Sequence, residues 1–189
     1  SLASSIVGGN FSVIAGGVIL DGDAAIDITA TTANLMAASN IGTAVDPLET
    51  NVGTLNASTT SGGIFVNEAN AVTLANISAG GGNDIAISNT SGHMTVNSVT
   101  TAGGAVTLAS PGGAILDGNG AASNVTAGTL TVSAANSIDL DATITTLSSA
   151  NVTGTGSIDI SNAGALAVNN ATTANGNIAL SATGGNLAI

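Results

Sequence analysis

The 189-residue chain is built from two copies of one unit laid end to end. GGVILDG at Gly16–Gly22 returns as GGAILDG at Gly112–Gly118, 96 positions later. GGIFVNEANAVTL at Gly62–Leu74 returns as GSIDISNAGALAV at Gly156–Val168, an offset of 94, and NDIAISNTSGHMTV at Asn83–Val96 as GNIALSATGGNLAI at Gly176–Ile189, an offset of 93. The segment after Val96, NSVTTAGGAVTLASPGGAILDG, matches the first 22 residues, SLASSIVGGNFSVIAGGVILDG. The units are thus 1–96 and 97–189, and the end of the second runs in repeat register into the beginning of the first. Repetition at a fixed period restricts the chain to architectures in which one supersecondary unit stacks on the next.

A shorter beat sits inside each unit. Ile64, Ile85 and Val106 succeed one another at 21 residues, and Ile158 and Ile178 at 20. Each opens a triplet with apolar residues two apart, the period of a half-buried strand. Partner triplets come after a short turn: Val72–Leu74, Met94–Val96, Leu166–Val168 and Leu187–Ile189. No stretch sustains the three- and four-residue spacing of a helix, and the β-branched residues and glycines oppose one. The reading is all-β: a right-handed parallel β-helix (β-solenoid) of about 20–21 residues per coil, forming a single continuous domain over 1–189. Coils stacked about 4.8 Å apart would line up inward Val, Ile, Leu and Ala in columns. Corner Gly and Asn would supply the positive φ angles of tight turns. The stretches Leu20–Leu55 and Leu116–Leu147 fit the beat poorly and are expected to carry looped-out corners. Four or five coils per unit, eight to ten in all, would make a rod on the order of 40–50 Å long.

Composition excludes partners more sharply than it names them. The chain has no Lys, Arg, Cys, Trp or Tyr, and its eleven acids leave a net charge of −11. An apolar content of 44% with positive mean hydropathy argues against disorder. Nucleic-acid binding rests on Lys and Arg neutralising phosphates, and anionic lipid headgroups need the same cations. No apolar run reaches the roughly 18 residues that would predict membrane insertion. The first residues have neither the basic head nor the apolar core of a signal peptide, so targeting information is expected to lie elsewhere. Lack of Cys suits a large secreted repeat protein, for which free thiols are a liability.

No catalytic, cofactor-binding or metal-ligating residue is nominated. Polysaccharide lyases built on β-helices need Arg or Lys beside the sugar, and the hydrolases need carboxylates clustered on neighbouring coils. The nearest acidic pairs, Asp21 with Asp23 and Asp139 with Asp141, each lie within one segment and read as turn or outward solubilising residues. Calcium is the one cofactor that the sequence suggests. LDGDA at Leu20–Ala24 and LDGNG at Leu116–Gly120 place oxygen-rich side chains at equivalent turns, which read first as Asx-type turns and second as Ca²⁺ ligands. GGGNDIAI at Gly80–Ile87 resembles one copy of the Gly/Asp repeat of calcium-binding β-rolls, which need it in tandem. His93 aligns with Asn186 and reads as a polar turn residue. The N-x-S/T sequons are no more than an Asn-, Ser- and Thr-rich chain produces by chance.

The G-x-[IV]-x-[LIV]…A-x-[LV]-x-[LV] cadence of Gly62–Leu74 and Gly156–Val168, with GGAVTLAS at Gly103–Ser110 and GNIALSATGG at Gly176–Gly185, resembles the repeats of the filamentous haemagglutinin type of large bacterial adhesin. The likeness covers nearly the whole chain and implies a secreted β-solenoid at the bacterial surface. The expected function is mechanical: a non-enzymatic, extracellular segment of a surface fibre or giant adhesin, partnered with itself head to tail or continued covalently. The alternative is a binding module that recognises a glycan or host receptor on a side face.

Overall fold

The computed structural model describes Ser5, Ile6 and residues 8–189, and every strand pairing among them is parallel. The chain winds through about nine turns of a β-solenoid. β1 (Ser5–Ile6) and β2 (Asn10–Ala15) make the first coil, and the long strands β3 (Ile28–Ala37) and β4 (Leu48–Thr59) carry the next two. Then come β5 (Ile64–Glu68) with β6 (Val72–Ala79), and β7 (Ile85–Asn89) with β8 (Met94–Val96) and β9 (Val99–Thr101). β10 (Ala105–Ser110) leads to β11 (Ile115–Asp117) and β12 (Val125–Thr126), β13 (Thr129–Ala134) to β14 (Ile138–Thr143), and β15 (Thr146–Thr155) to β16 (Ile158–Asn162). β17 (Leu166–Val168), β18 (Ala171–Asn175) and β19 (Ile178–Ala182) complete the ninth coil, and β20 (Leu187–Ala188) lies on β17.

Two strand columns result. The first runs from β1 through the leading parts of β3 and β4 to β5, β7, β10, β13, β15 and the β17–β18 pair. The second runs from β2 through the trailing parts of β3 and β4 to β6, β8–β9, β11–β12, β14, β16 and β19. Alternation within each strand sends every second residue inward, and parallel register stacks those residues coil on coil. Ile19, Ile41, Ile64, Ile85, Val106, Leu130, Leu147 and Val168 form one buried ladder, and Val72, Met94, Ile115, Ile138 and Ile158 another. Nine coils at strand spacing make a rod about 40 Å long.

The 95-residue unit does not contain a whole number of coils. Ile19 and its counterpart Ile115 sit in the first and second columns respectively, as do Ile64 and Ile158, and Ile85 and Ile178. One unit therefore advances about four and a half coils, and only two units together return a residue to its own column.

The irregular stretches carry loops, as the broken beat predicts. Asp21–Asp27 and Gly42–Pro47 leave the wall before β3 and β4, and Gly118–Asn124 does so between β11 and β12. Corner asparagines act differently from the expectation: the positive-φ corners are glycines such as Gly42 and Gly92, whereas buried Asn89 and Asn162 work through their side chains. Asn162 Nδ2 donates to the carbonyls of Ile144, Gly164 and Ala165, and its Oδ1 accepts from Ile144 N–H at 2.9 Å. Each amide pairs backbone groups that a tight corner would otherwise leave buried and unmatched.

Candidate functional site: an acidic cluster at two looped-out corners

The loops before β3 and β4 lie on adjacent coils, because β3 and β4 pair with Ile28 opposite Thr50. That register brings Asp21 and Asp27, at the two ends of the first loop, against Glu49 at the start of β4. One carboxylate oxygen from each lies within 4.8 Å of the other two. The backbone joins the coils at the same point, where Asp27 N–H donates to the Glu49 carbonyl at 3.0 Å. Asp46, on the second loop, approaches Asp21 as well.

The two aspartates of the cluster are shielded from water, and the cluster is short of donors. Asp27 is 0% exposed and Asp21 8%, while Glu49 is half-buried. Asp21 Oδ1 accepts the Asp23 N–H at 3.0 Å, but its Oδ2, both oxygens of Asp27 and Oε2 of Glu49 are buried without a hydrogen-bond partner among the described residues. Protonation responds to this enclosure. Loss of water, then the hydrogen-bonding demand and charge of Asp21, then the charges of Glu49 and Asp23, push the Asp27 carboxyl up to about 7. Glu49 and Asp46 are raised too, first by burial and next by Asp21. Asp21 is held low, chiefly by the Asp23 backbone N–H.

The equivalent corner of the second unit is built with the same backbone and different chemistry. Asn124 is fully buried at the position of Asp27, and its N–H donates to the Asp141 carbonyl at 2.7 Å as Asp27 N–H does to Glu49. Its Nδ2 donates to Asp117 Oδ1 (2.7 Å), Asn119 Oδ1 (3.0 Å) and the Val96 carbonyl (2.8 Å), and its Oδ1 accepts from Asp141 N–H (2.7 Å). The amide satisfies Asp117 from within, and the donated bonds and the Asn119 and Gly120 N–H groups hold that carboxylate low despite burial.

Of the sequence candidates, Asp21 joins the cluster and Asp23 does not: Asp23 is exposed and accepts the Ala25 N–H in an Asx turn. Asp117 lies in the closed corner. Asp84 of the GGGNDIAI segment accepts the Ala105 N–H of the next coil. Asp139 points outward opposite Asp159 on the neighbouring coil, and Asp141 pairs through its backbone with Asn124. His93 is exposed, its Nδ1 accepting the Ala114 N–H at 3.0 Å. Sequence reasoning missed Asp27 and Glu49, because it compared acids that are neighbours in sequence and the cluster joins acids from two coils. The available signal was the exchange of Asp27 for Asn124 in the unit alignment, an acid and an amide at the threshold of equivalent strands.

A shallow apolar groove runs along the first column between the Gly42–Pro47 loop and the wall, lined by Ala44, Pro47, Phe65, Ala86, Ser88 and Thr107. Among the described residues, no helix is long and apolar enough to cross a membrane. Compared with protein-family models, curated proteins and solved structures, the chain matches none.

Proposed function

We propose that this chain is a non-enzymatic, stiff segment of an extracellular bacterial fibre or giant adhesin, of the filamentous haemagglutinin kind that its repeats resemble. The observation that carries the reading is the unbroken parallel pairing through all nine coils, with apolar ladders that run on into the ninth. There Ile178 is 43% and Leu187 40% exposed, whereas Ile158 and Leu166 beneath them are buried. A further coil laid on this face would bury that apolar surface and pair the free N–H and C=O groups of β19. The half-coil remainder of each unit sets the pitch of such a continuation: a repeat joined after one unit changes column, and one joined after two keeps it. Stiffness would come from nearest-neighbour stacking, as in other solenoids. The absence of Lys, Arg and Cys supports a surface role without nucleic-acid or lipid partners and without thiol chemistry.

Electron microscopy of the native material tests the reading. Uniform filaments a single solenoid wide, with a regular axial rise, are the expected outcome. Discrete monomers at high concentration, from material whose intact mass equals that of this chain, would sink it. The apolar side groove is the place where a glycan or receptor would act if the alternative holds, and a specific hit on a glycan array, lost on changing Phe65 to Ser, would favour that instead.

A further inference from the structure

We propose that Asp21, Asp27 and Glu49 bind one hard divalent cation of calcium size, which locks the two looped-out corners of the first unit together. Proximity of acids alone would not carry this. Asp27 does: it is fully buried, brings a carboxylate oxygen into the cluster, and has no hydrogen-bond partner for either oxygen among the described residues. A buried, unpaired carboxylate is among the costliest groups a fold can hold. The second unit shows what the position requires, because there the Asn124 amide supplies the positive end of a dipole to Asp117 and Asn119. In the first unit Asp27 presents two more oxygens instead, so the positive charge must come from outside the side chains. No side chain supplies it: the chain contains no Lys or Arg, and His93 is bound to Ala114 in another part of the wall.

The donor set selects the ion. Carboxylate oxygens without Cys or His favour hard cations over zinc or copper. Calcium sits about 2.3–2.6 Å from each oxygen, so ligands around it span up to about 5 Å. Three oxygens mutually within 4.8 Å meet that condition. Asp46, against Asp21, adds negative charge at the mouth, and water fills the remaining positions. The sole competitor for the same place is a proton shared between Asp21 and Asp27.

Calorimetric titration of the EGTA-stripped, dialysed chain with calcium chloride decides between them. At neutral pH one ion per chain should bind with a dissociation constant at or below about 1 mM, the upper range of extracellular calcium modules. Saturating calcium should raise the melting temperature by several degrees. D27N writes the second unit's amide into the first and should keep the β-sheet circular dichroism spectrum while losing at least tenfold in affinity. D159N, which removes one carboxylate of the outward Asp139–Asp159 pair, should bind as the parent does. Absence of saturable binding by the parent at millimolar calcium overturns the proposal in favour of the proton. Equal losses in D27N and D159N overturn it in favour of diffuse counter-ion attraction. Should D27N not fold, E49Q takes its place with the same expected loss, and parental stoichiometry alone still decides.

Discussion

Glu68 shows how a single buried acid can be satisfied by hydrogen bonds from the chain itself. It is 1% exposed, and its two oxygens accept from Thr50 Oγ1 (2.6 Å), Val52 N–H (3.0 and 3.1 Å), Ala69 N–H (3.0 Å) and Asn70 N–H (3.3 Å). Burial nevertheless outweighs those bonds and raises its pKa above the ordinary 4.5. A raised carboxyl pKa means that the native state holds a proton the unfolded chain has released. The stabilisation is therefore complete below 4.5 and is lost as pH rises through the native value. Melting temperature should fall over that window, and E68Q should flatten this part of the profile while costing no more than about 1–2 kcal/mol at acid pH. An unchanged slope in E68Q would show that Glu68 is ionised throughout. The contrast with Asp27 is one of donors: five hydrogen bonds reach the Glu68 carboxylate, and among the described residues none reaches that of Asp27. In the second unit the counterparts of both are buried amides, Asn162 and Asn124. The alignment of units thus exposes the buried polar positions, though not which of them are satisfied.

At the scale of elements, corner geometry limits the sequence more than strand propensity does. A Cβ on Gly113 would overlap the Gly92 carbonyl of the coil below and come within 2.9 Å of His93 N, whereas a Cβ on Gly16, in the repeat-equivalent GG pair, would meet nothing within 4 Å among the described residues. G113A should destabilise by about 1–3 kcal/mol as an overpacked site that must displace backbone. G16A should stay within about 0.5–1 kcal/mol of the parent, as its unfolded-state effect alone would have it. Chemical denaturation of the two variants checks the pair, and equal costs would mean that the coil-to-coil contact at Gly113 relaxes freely. The GG pairs read identically in the two units, so this difference is invisible in the sequence. It arises because one pair packs within the stack and the other lies on the first coil. Element existence was legible: the triplets at Ile64, Ile85, Ile158 and Ile178 open strands and that at Val106 begins one residue into β10, as alternation and β-branching demand. The long strands β3 and β4, each spanning both columns, were not legible, since their Thr, Ala and Asn runs lack a strong apolar alternation.

The whole molecule behaves as a one-dimensional stack, in which each coil touches only its neighbours. Stability should then grade along the rod rather than sit in one core. Ile85, covered by Ile64 on one side and Val106 on the other, should cost about 2–5 kcal/mol when changed to Ala. Ile178, paired on one side only by Ile158 and partly exposed, should cost well under half of that. Hydrogen exchange of the isolated chain should be slowest in β5–β16 and fastest in β19 and β20. Uniform protection along the chain at high concentration would instead mark the ends as buried in a stack.

By itself the sequence determined the class of fold, the coil length and the duplicated unit. These derive from period and alternation, which are local properties of the chain and need no knowledge of what packs against what. The tertiary structure alone decided which residues face one another across coils. Successive steps along the first column run from 17 residues, between Leu130 and Leu147, to 24, between Val106 and Leu130, because loops of different length leave the wall at different corners. Register between coils is the accumulated result of those loops. It puts equivalent residues of the two units on different columns, and it brings Asp21 and Asp27 from one coil against Glu49 of the next.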